Sequence, residues 1–270
     1  MSSQRFDAFW VDAESYEAYI GRWSRVAAEM FVDWLSVRPG SAWLDIGSGT
    51  GALTQAILDR ADPARIIGAD RSRAFVAYAQ ATISDPRVAF EQSDASSLTI
   101  PDESFDAVVS GLTLNAFEDQ PKALGEFVRV AKPGGVVAAY LWDFDGEMQV
   151  LRYFWDAATS LDPSAGAPSD DDAAFAICKP DRLKAAFEAA GLRDVEVRAL
   201  DAPAHFRDFE DYWSPLQRGH APSQEHVASL SEARRSQLRD RLRARLPAKS
   251  DGSIDLIARA WAAKGKKLQL

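Results

Sequence analysis

Between residues 42 and 143 the chain alternates short β-rich apolar runs with segments of helical periodicity, and this rhythm limits the fold more than any other feature. The runs are AWLDI (42–46), ARIIGAD (64–70), RVAFEQSD (87–94), FDAVVSGL (105–112) and VVAAYLWD (136–143). Between them the spacing predicts a helix over about 50–60, a second in RAFVAYAQATI capped by Ser72, and a third over about 119–131 closed by KPGG. Nearly continuous apolar strands, each followed by a helix, predict a parallel sheet covered on both faces. Ligands bind such sheets beyond the carboxyl ends of the strands, near the point where strand order reverses.

The flanks are less regular. Residues 7–35 read as one or two amphipathic helices broken near Gly21, and VRPGS (37–41) as a turn. Residues 144–179 interrupt the rhythm with a Pro-, Ser- and Asp-rich loop, LDPSAGAPSDDD (161–172). A helix in KPDRLKAAFEAAG and a strand in RDVEVRALD (193–201) restore it. Residues 203–250 form a second insertion with an arginine-rich helical run, and SIDLIARAWAAKGK supplies a final strand.

Composition excludes some classes. Lys and Arg number 31 against 40 Asp and Glu, a formal charge of -9, and an acidic surface repels polyanions, so no nucleic-acid partner is expected. Cys178 is the single cysteine; an intrachain disulfide is impossible, which suits a reducing cytoplasm, and its apolar neighbours in AFAICKP mark it as packing. No basic region precedes an apolar stretch at the N-terminus and no 18-residue apolar run occurs, so neither a signal peptide nor a membrane span is expected. His205, His220 and His226 are possible bases near neutral pH, but their spacing forms no recognisable metal site, and none is expected.

The turn after the first run carries the chemistry. Gly47, Gly49 and Gly51 let the backbone bend sharply and approach a ligand closely, ahead of a helix start with unpaired N–H groups. Gly47, Gly49 and Ala52, with Asp70 about twenty residues on, satisfy the dinucleotide pattern G-x-G-x-x-A. The same stretch satisfies D-x-G-x-G-x-G through Asp45. An acid there crowds a pyrophosphate with like charge and suits a ligand bearing an ammonium and a sulfonium.

WLDIGSGTGALT resembles the first motif of the class I S-adenosylmethionine-dependent methyltransferases, and IIGADRS, EQSDASSLTIPDESFDAVVSGLTLNAFED and ALGEFVRVAKPGGVVAAY follow in the family's order. The likeness is close over about 40–143 and looser over 180–200 and 253–265, and is nearest to the type 11 small-molecule branch that includes quinone and menaquinone methyltransferases. It implies an α/β, Rossmann-like, doubly wound seven-stranded sheet, mostly parallel with the last strand antiparallel. The core then spans 37–143, 180–202 and 251–270, with an N-terminal helical lid (1–36) and insertions at 144–179 and 203–250 on the cofactor side.

The resemblance implies S-adenosylmethionine as cofactor and S-adenosylhomocysteine as product. Gly47, Ser48, Gly49 and Gly51 would lie beneath the methionine moiety, Asp45 would face its ammonium, and Asp70 would accept from both ribose hydroxyls, with Arg71 on the adenine. Asp94 and the Ala95 backbone would hold the adenine amino group; Ser110 and Leu112 would expose backbone to the methionine end. Tyr16, Tyr19, Arg22 and Trp23 could form a lid, Arg22 pairing with the cofactor carboxylate. Simpler roles compete: Asp45 capping the turn, Asp70 a helix N-terminal acid, Asp94 capping ASSL, Arg71 solvated, and residues 16–23 plain packing.

The expected reaction is direct in-line methyl transfer to a small organic O, C or N acceptor, and alignment alone supplies much of such a rate, so no residue is assigned as catalytic. SGLTLNAF stands where methyltransferases of nucleic-acid bases and glutamine carry N/D-P-P-Y/F/W, and no Pro-Cys nucleophile occurs. The aromatic-rich QVLRYFWDA and HFRDFEDYWSPLQRGH suit an apolar or aromatic acceptor, or seal a satellite core. The arginines of 234–245 read as a solvated helix face. The alternatives are an NAD(P)-dependent oxidoreductase and a non-catalytic S-adenosylmethionine binder.

Overall fold

The computed structural model describes residues 20–144, 146–166, 173–219 and 221–269. Tyr16, Tyr19 and His220 lie outside them. Helix α1 (Arg22–Leu35) buries Trp23, Ala27, Phe31 and Leu35 along one amphipathic stripe. Strand β1 (Ala42–Ile46) is buried at every position, and α2 (Ala52–Ala61) starts directly behind Gly51. β2 (Arg65–Asp70) leads into α3 (Arg73–Thr82), where the Ser72 hydroxyl accepts the Phe75 N–H at 3.4 Å as the sequence predicts. β3 (Val88–Gln92) and β4 (Phe105–Gly111) follow, then α4 (Gln120–Val130), capped by Asp119, which accepts the Lys122 N–H at 2.9 Å.

β5 (Ala131–Trp142) begins five residues earlier than its apolar run. Ala131 already pairs with Phe105, and the register then jumps to Ala107 with Val136, so KPGG is a bulge inside the strand instead of a turn before it. The chain continues through α5 (Gln149–Leu161), α6 (Ala173–Ala176), α7 (Pro180–Ala189) and β6 (Arg193–Phe206). α8 (Phe209–Trp213), α9 (Pro222–Ser229), α10 (Glu232–Arg245) and β7 (Ile254–Lys266) complete it.

The seven strands form one sheet in the order β3-β2-β1-β4-β5-β7-β6, parallel except for β7, which runs antiparallel to both neighbours. Pleating sorts the core: Trp43 faces α1 and α2, while Leu44 and Ile46 face α4 and α7. Order reverses beside β1, which places the loops after β1 and β4 on either side of one crevice. β6 runs past Pro203 to Phe206, pairing through to Ile254, where sequence reading stops at 201. β6 is the sheet's edge, and an edge strand tolerates a proline by keeping its missing N–H on the unpaired side.

The two irregular segments pack on each other. Phe154 and Trp155 of α5 share a core with Phe206, Tyr212, Val227, Leu238 and Leu242, and the Tyr212 hydroxyl donates to the Val150 carbonyl at 2.8 Å. Phe175, Ile177 and Cys178 instead join the α4–α7 side of the sheet.

Candidate functional site

The loop between β1 and α2 is tied to its neighbours by backbone. The Gly47 and Ser48 N–H groups both donate to the Ala69 carbonyl, at 2.7 and 3.1 Å, and the Gly51 N–H closes the turn on the Ser48 carbonyl at 2.8 Å. Gly47 has φ 73°, and a Cβ there would stand 2.3 Å from the Thr113 hydroxyl oxygen. Gly49 has φ 53°, yet none of the described residues lies within 4 Å of the place its Cβ would occupy. The turn is therefore closed at Gly47 against the loop that follows β4 and open at Gly49, where another molecule can approach the backbone.

Asp70, at the carboxyl end of β2, connects this turn to the next helix. One carboxylate oxygen accepts the Gly49 N–H at 2.9 Å and the other the Ser72 N–H at 2.8 Å. Burial raises its pKa above the ordinary carboxylate range, while the two N–H groups and Arg71 act the other way. A carboxylate has about four acceptor positions, so two remain on Asp70. Arg71 itself is exposed.

Asp45 is fully buried on β1. Its Oδ2 accepts the Thr54 hydroxyl at 2.7 Å, and its Oδ1 has no partner among the described residues. Burial pushes the carboxyl up to about 7; the Thr54 hydrogen bond opposes this and the charge of Asp70 adds to it. Ser48 is also buried, with a partnerless hydroxyl. Two buried oxygens without a hydrogen-bond partner among the described residues thus lie close to the open face of the turn, where such atoms are uncommon.

Across the crevice, Ser110 is buried and its hydroxyl shares a 2.9 Å hydrogen bond with that of Thr113. Leu112 has φ 61°, an uncommon conformation for a leucine, and its N–H donates to the Tyr140 carbonyl at 2.8 Å. Asp94 is exposed and caps its own turn by accepting the Ser96 N–H at 2.8 Å, while Ala95 is buried. Thus Gly47, Ser48, Gly49, Gly51 and Asp70 form one bonded unit, Asp45 lies beneath it, and Ser110 and Leu112 stand opposite.

Arg22 has a neighbour that sequence reading does not supply. Its Nη1 pairs with Asp211 of α8 at 3.3 Å, and the guanidinium lies over the rings of Trp23 and Phe206 at 4.8 and 4.7 Å. Its Nε and Nη2 are enclosed and without partners among the described residues. Trp23 is buried, 5.3 Å from Phe206 between ring centres.

Sequence reading also passes over Thr54 and Thr113. Thr54 carries a usable signal, a hydroxyl residue between buried Leu53 and Ala56 on the inward face of α2. Thr113 carries none, because only the fold brings it against Gly47. Of the histidines, His205 shares a 2.7 Å hydrogen bond with Asp255, and His226 packs on Phe154 and Trp155, where burial lowers its pKa. A groove of about 410 Å³ lies elsewhere, between α4 and α7, lined by Leu124, Ile177, Arg182 and Ala186.

Residues 44–139, from β1 to β5, match the type 11 family described as Methyltransferase domain. A demethylmenaquinone methyltransferase of Thermus thermophilus is 37% identical over 116 residues, 42% of this chain and 51% of that protein. Another, from Beutenbergia cavernae, is 32% identical over 179 residues, covering 63% of this chain and 72% of that one. The chain spans about half the length of the first curated relatives it matches. Among solved structures, phosphoethanolamine N-methyltransferase 2 of Haemonchus contortus, in complex with S-adenosyl-L-methionine, superposes with a TM-score of 0.58 at 17% identity, covering 100% of this chain and 60% of that one. With the turn, the acid after β2 and the strand order all in place, the chain belongs to the class I S-adenosylmethionine-dependent methyltransferases, in their type 11 branch.

Proposed function

We propose that the protein is an S-adenosylmethionine-dependent methyltransferase acting on a small organic acceptor. One observation carries this: the Gly49 N–H rests on Asp70, so the open backbone of the turn and a buried carboxylate with two spare acceptor positions form a single rigid unit at the sheet's switch point. When bound, the cofactor supplies a methyl group already activated on a sulfonium. The Gly47–Gly51 turn would bear the methionine moiety, and Asp70 would take the ribose hydroxyls on its free lone pairs. The second oxygen of Asp94 and the Ala95 backbone would receive the adenine edge, with Arg71 alongside. Ser110 and Leu112 would offer backbone groups at the methionine end. Asp45 would hold a negative charge below the ammonium.

The chain's part in the chemistry is alignment: a fixed turn and a fixed β4 loop hold the reacting atoms in line, which can account for much of the rate without a base. Acceptor recognition is assigned to the insertions at 144–179 and 203–250, which leave the carboxyl ends of β5 and β6 on the same side as the turn. An apolar or aromatic acceptor fits them, and the quinone-modifying names of the relatives favour the same class. Among the described residues no helix is long and apolar enough to cross a membrane. The single buried Cys178 suits a reducing compartment, so we place the protein in the cytoplasm.

Calorimetric titration with S-adenosylhomocysteine tests the assignment. Asp70→Ala should weaken binding about 100-fold, the worth of two charge-assisted hydrogen bonds. Equal affinity in both proteins removes Asp70 from the site. Incubation with methyl-labelled cofactor and a cell extract should then label a small molecule, and labelling of protein or nucleic acid instead would overturn the acceptor class.

A further inference from the structure

We propose that Asp45 is held neutral in the ligand-free protein and releases its proton when a ligand bearing an ammonium binds over the Gly47–Gly51 turn, with Thr54 as the positioning residue that sets where in pH this occurs. The proposal rests on the reading of the turn as an S-adenosylmethionine site.

The geometry is that of a carboxyl without a counter-charge. Asp45 has no exposed surface, its Oδ1 has no partner among the described residues, and the hydrogen bonds that reach it, from the Thr54 hydroxyl and the Thr54 backbone, are neutral. Among the described residues no lysine or arginine pairs with it. The charge that acts on it from a neighbouring element is Asp70 at the end of β2, which is of the same sign, and from α2 it meets only Thr54. An ionised carboxylate in such a place is unfavourable, so the proton stays on. Burial accordingly places its pKa at about 7. An ammonium arriving nearby reverses the balance. The O–H bond breaks, its electron pair remains on the carboxylate, and the proton passes to the buffer; no other bond changes. Ligand binding and proton release are then linked, as they are when a metal binds to a protonated ligand.

Thr54 has a defined sign in this scheme. Its hydroxyl stabilises the ionised form, so removing it moves the midpoint to higher pH, and a serine, which keeps the hydroxyl, restores it. A purely structural threonine would alter stability without moving the midpoint.

The test is calorimetric titration with S-adenosylhomocysteine between pH 5.5 and 7.0, where the ligand's amine stays protonated, in two buffers of different ionisation enthalpy. Wild type should bind up to tenfold more tightly per pH unit gained, releasing about one proton per ligand at the acid end. Asp45→Asn should show a flatter profile and lose that proton. Thr54→Val should shift the midpoint upward, and Thr54→Ser should match wild type; these two keep the proposal testable if Asp45→Asn does not fold. Binding without proton release, or release undiminished in Asp45→Asn, overturns the proposal and leaves the cofactor site standing. Failure of wild type to bind at any pH removes the site and the proposal with it.

Discussion

The turn after β1 and the cap built by α5 and α8–α10 border the same side of the sheet but are held together by opposite means. At the turn, carboxylates accept backbone N–H groups, and polar atoms of Asp45 and Ser48 are buried without partners. In the cap, charged side chains pair with one another or with α1: Arg239 and Arg243 with Glu210, and Asp211 with Arg22 of α1. Its aromatic rings pack together, Phe154 on Trp155 and Phe206 on Tyr212. Both leave buried polar atoms without partners among the described residues, but at the turn these are oxygens of Asp45 and Ser48, whereas around the cap they are nitrogens of Arg22, Arg235 and Arg239. Much of the aromatic content of the insertions therefore seals a satellite core.

The largest effect should come from closing the turn. Gly47→Ala combines a left-handed backbone with a Cβ 2.3 Å from Thr113, and should destabilise the fold by roughly 3 kcal/mol or more. Gly49→Ala has a similar φ but empty space around it, so about 1 kcal/mol of backbone strain is expected, with binding of S-adenosylhomocysteine lost. Urea midpoints and calorimetry on both variants decide. If Gly47→Ala is as stable as Gly49→Ala, the turn is not closed on the loop after β4.

Asp45 gives the next effect, with a pH signature. Its folded pKa of about 7 lies above its unfolded value, so the native state binds the extra proton between about pH 4 and 7 and stability falls as pH rises through that window. Asp70 is shifted the same way. Carboxylates shifted down, such as Asp85 at about 2 beside Arg87, stabilise above their unfolded pKa and act only at lower pH. Urea midpoints at pH 5, 6 and 7 should fall in ligand-free wild type and flatten in Asp45→Asn. An equal slope in both would show that Asp45 is ionised throughout.

How much of this the sequence discloses differs between the same two regions. Local rules suffice for the core: apolar runs bounded by turn residues mark β1 to β4, and Ser72 and Asp119 stand where helix caps belong. Asp45, Gly47 and Asp70 are legible because they stand at the fixed spacing of D-x-G-x-G-x-G and of the acid about twenty residues on. The partners that complete the site are set by tertiary packing. Thr113 lies 66 residues beyond Gly47 and Asp211 lies 189 beyond Arg22, separations over which no periodicity carries information. The KPGG bulge and the extension of β6 through Pro203 escape for a related reason, since each depends on what the neighbouring strand tolerates.

Arg22 tests whether α1 and the cap act together. Arg22→Met keeps an apolar stem against Trp23 and Phe206 and removes the pair with Asp211. Arg22 is 38% exposed, so the lost stability should be about 1 kcal/mol or less. Its two partnerless nitrogens predict a larger effect on S-adenosylhomocysteine affinity, about tenfold. Unchanged affinity would leave Arg22 as a tie between α1 and α8 alone.

The smallest effect should come from the cap's most crowded charge. Glu210 receives both Arg239 and Arg243, which also lie over the Phe209 ring at 5.9 and 4.5 Å. All three charged groups are about half exposed, where water competes for each ion. Glu210→Gln should therefore change stability by about 0.5 kcal/mol or less, whereas Leu242→Ala, removing a fully buried side chain from the seam between α10 and α5, should remove about 2–4 kcal/mol. Urea midpoints for the two variants rank charge against packing in the cap. If Glu210→Gln were the more damaging, α10 would be fastened by its arginines, and the contrast between a cap held by its apolar core and a turn held by carboxylates would fail.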